Sequence, residues 1–244
     1  MSALGEAATV VLLRDGPQGP RVLMLLRPAH GSYPGAWVFP GGAVDPADRV
    51  PDGTGAVRRA AVRETREETG LAVAAGELQL LSCWTPPPQA PKRLRTWFFL
   101  GAAPPGRVVR DPREVAAHRW LAPGQALKAH GEGRLQLLPP TWVTLHGLVG
   151  VPTVEAACER ARTVRPPHYE SRHVVDPATG PVLVWAGDVA HAEGVPLERP
   201  GPRHRLLLGS RSWTYVVAPE RRGPFTGETA PDGTCHGTGR DVRD

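Results

Sequence analysis

Three glutamates spaced along one face of a predicted helix are the residues of this sequence best placed to do chemistry. Glu64, Glu67 and Glu68 continue, at helical spacing, an apolar stripe that begins at Val57. Carboxylates at this spacing repel one another, and the helix dipole disfavours negative charge near a C-terminal end. A divalent cation that prefers oxygen ligands would offset both effects, so the pattern predicts a metal site.

A solvated acidic face is the alternative reading of the same segment. Arg63 and Glu67 form an ordinary i,i+4 pair, and helices that mix Arg with Glu are common on protein surfaces. The surroundings favour a site instead. A short apolar run and a sharp Pro40-Gly41-Gly42 turn precede the helix, and Gly70 follows it in the usual C-terminal position.

The elements that must position these glutamates can be read from apolar runs and from turn residues. The helix is predicted up to Gly70, with Thr54 as its N-cap. Strands are predicted at 8–13, 22–26, 36–39, 78–84, 94–100 and 115–121, and helices at 123–130, 140–149 and 152–163.

The pattern of apolar and turn-forming residues changes after residue 163, which indicates a second region. Short apolar runs at 182–186, 205–208 and 213–217 alternate with Pro/Gly loops, which is typical of β-structure. The last residues lack apolar periodicity. The predicted organisation is therefore a main domain over 1–163, a small β-rich extension over 164–220 and a disordered tail over 221–244.

Composition limits the function classes. The chain has 244 residues and a formal net charge of +5, but its arginines are scattered rather than clustered, which disfavours nucleic-acid binding. Three distant cysteines offer neither a disulfide framework nor a zinc motif. No apolar run approaches the length of a membrane span, and the N-terminus does not read as a signal peptide. A cytoplasmic protein without nucleic-acid or membrane partners is expected.

The glutamate helix and the turn before it together resemble the Nudix box of the Nudix hydrolase superfamily. The matching residues are Phe39-Pro40-Gly41-Gly42, Asp48 and the run Arg63-Glu64-Thr65-Arg66-Glu67-Glu68-Thr69-Gly70-Leu71. The box usually has an apolar residue where Thr65 stands. It also expects seven residues between the acidic position and the arginine, whereas fourteen separate Asp48 from Arg63. Segment 49–55 is therefore interpreted as a loop insertion, which costs little free energy if its ends stay close.

The resemblance implies roles for the matched positions. Glu64, Glu67 and Glu68 would bind Mg²⁺ or Mn²⁺, and Arg63 would orient them. Two further ligands are implied, namely the Gly42 carbonyl and Asp48, with Asp45 as an alternative to Asp48. Glu114 is a candidate for assisting catalysis or binding substrate, although a surface-loop role is the simpler reading, and Arg27 is a second candidate for substrate binding.

The resemblance also implies a fold and a reaction. The expected fold is α+β, a Nudix-type α/β/α sandwich around a mixed sheet, with the β-containing extension added. The expected reaction is metal-dependent cleavage of a diphosphate linkage in a small nucleotide-type substrate, with a homodimer as a compatible assembly. Residues 26–45 and 138–142 are similar to the coenzyme A diphosphatase-like branch. ADP-ribose, NADH and dinucleoside polyphosphates remain alternative substrates, and a non-hydrolysing nucleotide-binding module is an alternative function.

Overall fold

A mixed nine-stranded sheet lies at the centre of the protein, and the helix that carries the predicted site packs on one of its faces. The computed structural model describes residues 4–50, 55–90, 93–209 and 212–218. Its main strands run in the order β8-β3-β2-β1-β6-β5-β9, while β4 pairs with β1 and β7 pairs with β2. The bounds are β1 Gly5–Arg14, β2 Arg21–Leu26, β3 Ala36–Val38, β4 Gly41–Ala43, β5 Gln79–Thr85, β6 Leu94–Ala102, β7 Ala117–Leu121, β8 Gln136–Leu137 and β9 His168–Glu170.

Four helices cover the two faces of this sheet. They are α1 Gly55–Thr69, α2 Pro123–Gly131, α3 Pro139–Leu148 and α4 Val154–Thr163. The predicted helices after residue 120 are thus confirmed to within two residues at each end. The mixed sheet between helices also confirms the predicted α+β class.

Strand β1 shows why the sheet needs cover on both sides. Val11 and Leu13 pack into the core beneath α2–α4, whereas Val10 and Leu12 pack into the core beneath α1. A strand with two buried faces reads as an unbroken apolar run. This explains why residues 7–13 carry almost no polar side chains.

Helix α1 buries the stripe that the sequence predicted. Val57, Ala60 and Ala61 are at most 1% exposed and contact the sheet. Thr65 stands where the Nudix box usually has an apolar residue. Its buried hydroxyl is not left unpaired, because it donates to the Ala61 carbonyl at 2.7 Å. The buried stripe fixes the rotation of α1 and hence the direction in which its glutamates point.

The C-terminal extension is a second sheet that packs on the first. Its strands β10 Arg172–Asp176, β11 Gly180–Val184, β12 Arg203–Leu207 and β13 Thr214–Ala218 form an antiparallel meander. The sequence predicted the last three with shifted bounds and missed β10. It also missed β9, which lies beyond residue 163 yet pairs with β5 in the main sheet.

An aromatic cluster joins the two sheets into one core. Trp84 of β5 stacks on Tyr169 of β9 with ring centroids 3.8 Å apart, and Trp185, which follows β11, packs edge-on against both rings. Trp185 and Leu206 belong to the same buried cluster as Val11 of the central strand. The apolar core thus continues across residue 163, where the sequence predicted a domain boundary.

Some predictions lie outside the described residues. These are the N-cap role of Thr54, most of the inserted loop and the predicted disorder of the tail at 221–244. In the part of the chain that is described, no helix is long and apolar enough to cross a membrane.

A buried ion pair secures the second sheet and gives a first prediction. Asp188 accepts hydrogen bonds from Arg205 Nε at 2.7 Å and from Nη2 at 2.6 Å, and both side chains are under 10% exposed. Asp188→Asn leaves the arginine charge buried without a counterion, so urea denaturation should show a loss of about 3–5 kcal/mol in the free energy of unfolding.

Glu159→Gln is the matched control, because it breaks an exposed pair with Arg162 and should cost under about 1 kcal/mol. Equal losses in the two variants would contradict the structural role given to the Asp188–Arg205 pair.

Candidate functional site

The turn at residues 40–43 forms the floor of the candidate site. After β3 the chain turns sharply, and β4 pairs with β1 so that Gly41 lies opposite Thr9. Thr9 Oγ1 donates to the Pro40 carbonyl at 2.7 Å, and the backbone N–H of Val10 donates to the same oxygen at 2.8 Å. These contacts hold the turn rigidly against the central strand.

Glycine is required twice in this turn because other atoms approach too closely for a side chain. A Cβ on Gly41 would lie 2.3 Å from the Ala8 carbonyl oxygen. A Cβ on Gly42 would lie 2.4 Å from the carboxyl carbon of Glu64. The missing side chains let Gly41 lie close against strand β1 and let Gly42 contact the Glu64 carboxylate of α1.

Arg63 donates hydrogen bonds to several acidic side chains of the site. Its Nη1 donates to Glu64 at 2.8 Å and to Glu67 at 2.9 Å, and its Nη2 donates to the Ala43 carbonyl at 3.1 Å. Its Nε and Nη2 also donate to both carboxylate oxygens of Asp48, with a shortest distance of 2.8 Å. This many acceptors raises the pKa of the guanidinium, so Arg63 stays charged.

The Asp48 carboxylate faces Arg63 and the backbone N–H of Asp45. It accepts from Arg63 and from the backbone N–H of Asp45 at 2.8 Å. The Arg63 hydrogen bonds hold the pKa of Asp48 below its ordinary value. Asp45, the alternative ligand, instead caps the short 3₁₀ turn Pro46–Asp48 by accepting from the backbone N–H of Ala47.

Glu64 and Glu68 form the desolvated pair at the centre of the site. Burial raises the pKa of Glu64, and the nearby charges of Glu67 and Glu114 raise it further. Burial also raises the pKa of Glu68 to about 8, although the Gly41 N–H donates to this carboxylate at 2.8 Å. Two poorly solvated carboxyl groups on adjacent turns of a helix are electrostatically unfavourable until a cation joins them.

Glu114 and Arg27 come to the same place from other parts of the chain. The charge of Glu114 raises the pKa of both Glu64 and Glu68, and that of Arg27 lowers the pKa of Glu68. Glu114 is exposed and precedes the buried Val115, while Arg27 follows β2 and donates to the Ser32 carbonyl at 2.7 Å. The structure therefore gathers all the acidic and basic residues that the sequence singled out around one corner.

The donor set suits a hard divalent cation, although it is not assembled as a cluster. Within the described ranges, no group of three or more His, Cys, Asp or Glu side chains is arranged to hold a metal ion. Glu64 and Glu67 contact Arg63, and Glu68 contacts the Gly41 N–H. All the available donors are nevertheless oxygens, and the raised pKa values of Glu64 and Glu68 show where positive charge would be stabilising.

Sequence reasoning missed the backbone partners of the site. Neither the Gly41 N–H as a donor to Glu68 nor the Ala43 carbonyl as an acceptor from Arg63 was anticipated. Thr9 was missed as well, because its contact with Pro40 spans 31 positions and leaves no local pattern. The doubled glycine was the one available signal, since it indicates a close backbone approach.

Comparison with known proteins identifies the family to which the chain belongs. The NUDIX domain family matches residues 4–139. A stretch of 72 residues is 36% identical to the CTP pyrophosphohydrolase of Escherichia coli K12, covering 30% of this chain and 45% of that protein. The chain thus matches less than half the length of this curated relative.

A solved NUDIX hydrolase structure shows the same fold. A NUDIX hydrolase from Alicyclobacillus acidocaldarius superposes with a TM-score of 0.59 and 26% identity, over 65% of this chain and 97% of that one. A MutT NUDIX hydrolase from Burkholderia pseudomallei gives a TM-score of 0.47 and 23% identity, over 61% and 99% of the two chains. The match covers the glycine turn, the glutamate helix and the sheet that holds them, and the chain belongs to the NUDIX domain family.

Proposed function

We propose that this protein is a divalent-metal-dependent hydrolase that cleaves a diphosphate linkage in a small nucleotide-type substrate. One observation carries the proposal: the carboxylates of Glu64 and Glu68 are held, poorly solvated, against the Gly41-Gly42 backbone. A merely structural surface helix would turn such groups to water, where their charge costs least.

The ligands in this proposal are Glu64, Glu67, Glu68 and the Gly42 carbonyl. Mg²⁺ or Mn²⁺ bound there would polarise the phosphoryl oxygens and lower the pKa of a bound water. Asp48 is better described as a positioning residue, because its carboxylate is engaged by Arg63 and by the Asp45 N–H. Arg63 in turn fixes the directions of Glu64 and Glu67.

Two residues around the ligands have the chemistry to handle substrate. Arg27 carries positive charge next to Glu68, where it can bind a phosphate oxygen. Glu114 is exposed and electrostatically coupled to both Glu64 and Glu68, so it can accept a proton at the edge of the site. Neither role requires a change in the fold.

The substrate is proposed at two levels. The coarser proposal is a nucleotide-type compound that contains a diphosphate linkage, supported by the similarity to a CTP pyrophosphohydrolase. The finer one is coenzyme A or an acyl derivative, supported by the residues at 26–45 and 138–142. A screen of coenzyme A, ADP-ribose, NADH, dinucleoside polyphosphates and nucleoside triphosphates with Mg²⁺ or Mn²⁺ tests both. If the protein bound one of these compounds tightly but hydrolysed none of them, the result would favour the non-hydrolysing nucleotide-binding module. The cytoplasmic location and the homodimer stay predictions.

Removing one ligand charge should abolish most activity. Glu68→Gln and Glu67→Gln should each lower kcat/KM by roughly a hundredfold or more, since a bound metal supplies several kcal/mol of transition-state stabilisation. Glu77→Gln, at an exposed position outside the site, is the matched control and should keep full activity. Full activity in both site variants, with metal dependence retained, would show that the ligands lie elsewhere.

Asp48 should act through Arg63, which a double-mutant cycle can measure. Asp48→Asn should weaken Mn²⁺ binding by about 10–100-fold, as loss of an outer partner of a ligand usually does. In a protein that already carries Arg63→Lys, Asp48→Asn should weaken Mn²⁺ binding only slightly, because the guanidinium that Asp48 contacts has already been replaced. Calorimetric Mn²⁺ titrations of the four proteins give the coupling. If the losses in Mn²⁺ binding free energy of the two single variants simply add in the double variant, Asp48 is itself a metal ligand.

The metal-free protein should lose stability as the pH rises. Glu68 keeps its proton in the folded state up to about pH 8, whereas an unfolded glutamate releases it near its ordinary pKa of 4.5. The folded state therefore binds more protons over this interval, and the free energy of unfolding falls between about pH 5 and 8. Urea denaturation in EDTA measures the slope, and Glu68→Gln should flatten it. An unchanged slope in that variant would assign the dependence to other groups.

A further inference from the structure

A cavity beside α2 carries positive charge that the proposed catalytic site does not use. It has a volume of about 560 Å³ and lies between β7, α2 and the turn that follows α2. Its charged lining residues are Arg119, Lys128, Glu132 and Arg134. We refer to this space, lined by Arg119, Lys128 and Arg134, as the α2 cavity.

The α2 cavity opens on the face of the sheet opposite α1. Trp120 packs with the core beneath α1. Arg119 precedes Trp120 on strand β7, and successive strand residues point to opposite faces. Ala129 and Leu135, which line the cavity, belong to the other core. The cavity is therefore separated from Glu64 and Glu68 by the sheet itself.

Positive charge in the α2 cavity exceeds negative charge. Of the described residues that line it, three are cations and Glu132 alone is a carboxylate. Glu132 is bonded to Arg134 and lies 4.0 Å from Lys128, so one acidic group is shared by two bases. Their side chains are 64% and 76% exposed, respectively, which leaves donors available to a ligand.

Arg119 is the cation that is held in place. Its guanidinium carbon lies 5.4 Å from the ring centroid of Trp37, a residue that is 6% exposed. No ion pair involves Arg119 in the described part of the chain. A guanidinium fixed by an aromatic ring and lacking a carboxylate partner is suited to a phosphate group.

The remaining walls suit the organic part of a small molecule. Leu121 and Leu135 give apolar surface, and Gln125 gives an amide that can both donate and accept hydrogen bonds. A volume of this size lies within the usual range for small-ligand sites. A nucleic acid would instead need a basic stripe that follows its backbone, and the other arginines of the chain are scattered.

We propose that the α2 cavity is a second binding site, for a small phosphate-bearing anion, in which Arg119, Lys128 and Arg134 bind the phosphate. This site does not depend on the proposed hydrolysis, since none of its residues contacts the glutamate helix site. It can therefore be tested in protein that carries no metal.

The test is calorimetric titration of the metal-free full-length protein with ATP and with inorganic tripolyphosphate. Arg119→Ser combined with Arg134→Ser should weaken binding of both probes at least tenfold. Arg162→Ser, an exposed arginine on α4, is the matched control and should not change it. Arg27→Ser and Glu68→Gln, at the proposed catalytic site, should also leave the binding constant unchanged.

Three results would overturn the proposal. The first is unchanged probe binding in the Arg119/Arg134 double variant with a native thermal melting temperature. The second is loss of binding in Arg27→Ser alone, which would place the probe at the glutamate helix. The third is tighter binding of a single-stranded oligonucleotide than of ATP with a steep salt dependence, which would assign the charge to nucleic acid. Unaltered diphosphate hydrolysis in the double variant would confirm that the two sites are separate.

Discussion

The contact between the acidic face of α1 and the bare backbone of Gly41-Gly42 is the constraint on which the rest of the site depends. The carboxyl groups held there are poorly hydrated, and this burial raises the pKa of Glu64 and Glu68, although the hydrogen bond from the Gly41 N–H opposes the shift at Glu68. The surrounding architecture keeps the contact in place. Strand β1 holds the turn through Thr9 and Val10, and the apolar stripe of α1 holds the helix in register.

Arg63 shows that the long separation between Asp48 and α1 is compatible with this geometry. Fourteen residues lie between Asp48 and Arg63, yet the Asp48 carboxylate contacts the Arg63 guanidinium. The 3₁₀ turn that ends at Asp48 is capped by its own residues, so the loop beyond it is not needed to place the carboxylate. Loop length and site geometry are thereby decoupled.

The sequence predicted the parts of the structure that leave local patterns. The helix stripe of Val57, Ala60 and Ala61, the central strand and the glycine turn all have periods or residue types that identify them. Contacts between distant segments leave no such pattern. The pairing of β9 with β5, the stack of Trp84 on Tyr169 and the distribution of hydrogen bonds around Arg63 follow from the tertiary fold. For that reason the sequence singled out candidate residues that lie close together in the structure, but it did not predict that Asp48 accepts hydrogen bonds from Arg63.

The aromatic core shared by the two sheets has a consequence for how this chain can evolve. β9 closes the open side of β5, and Trp185 covers the Trp84–Tyr169 stack, so each region buries apolar surface of the other. Gene fusion or exon shuffling that moved either region alone would leave an unpaired strand edge and bare aromatic rings, a combination that promotes self-association. Separating the C-terminal sheet from the region that matches the NUDIX domain would therefore divide one continuous buried core.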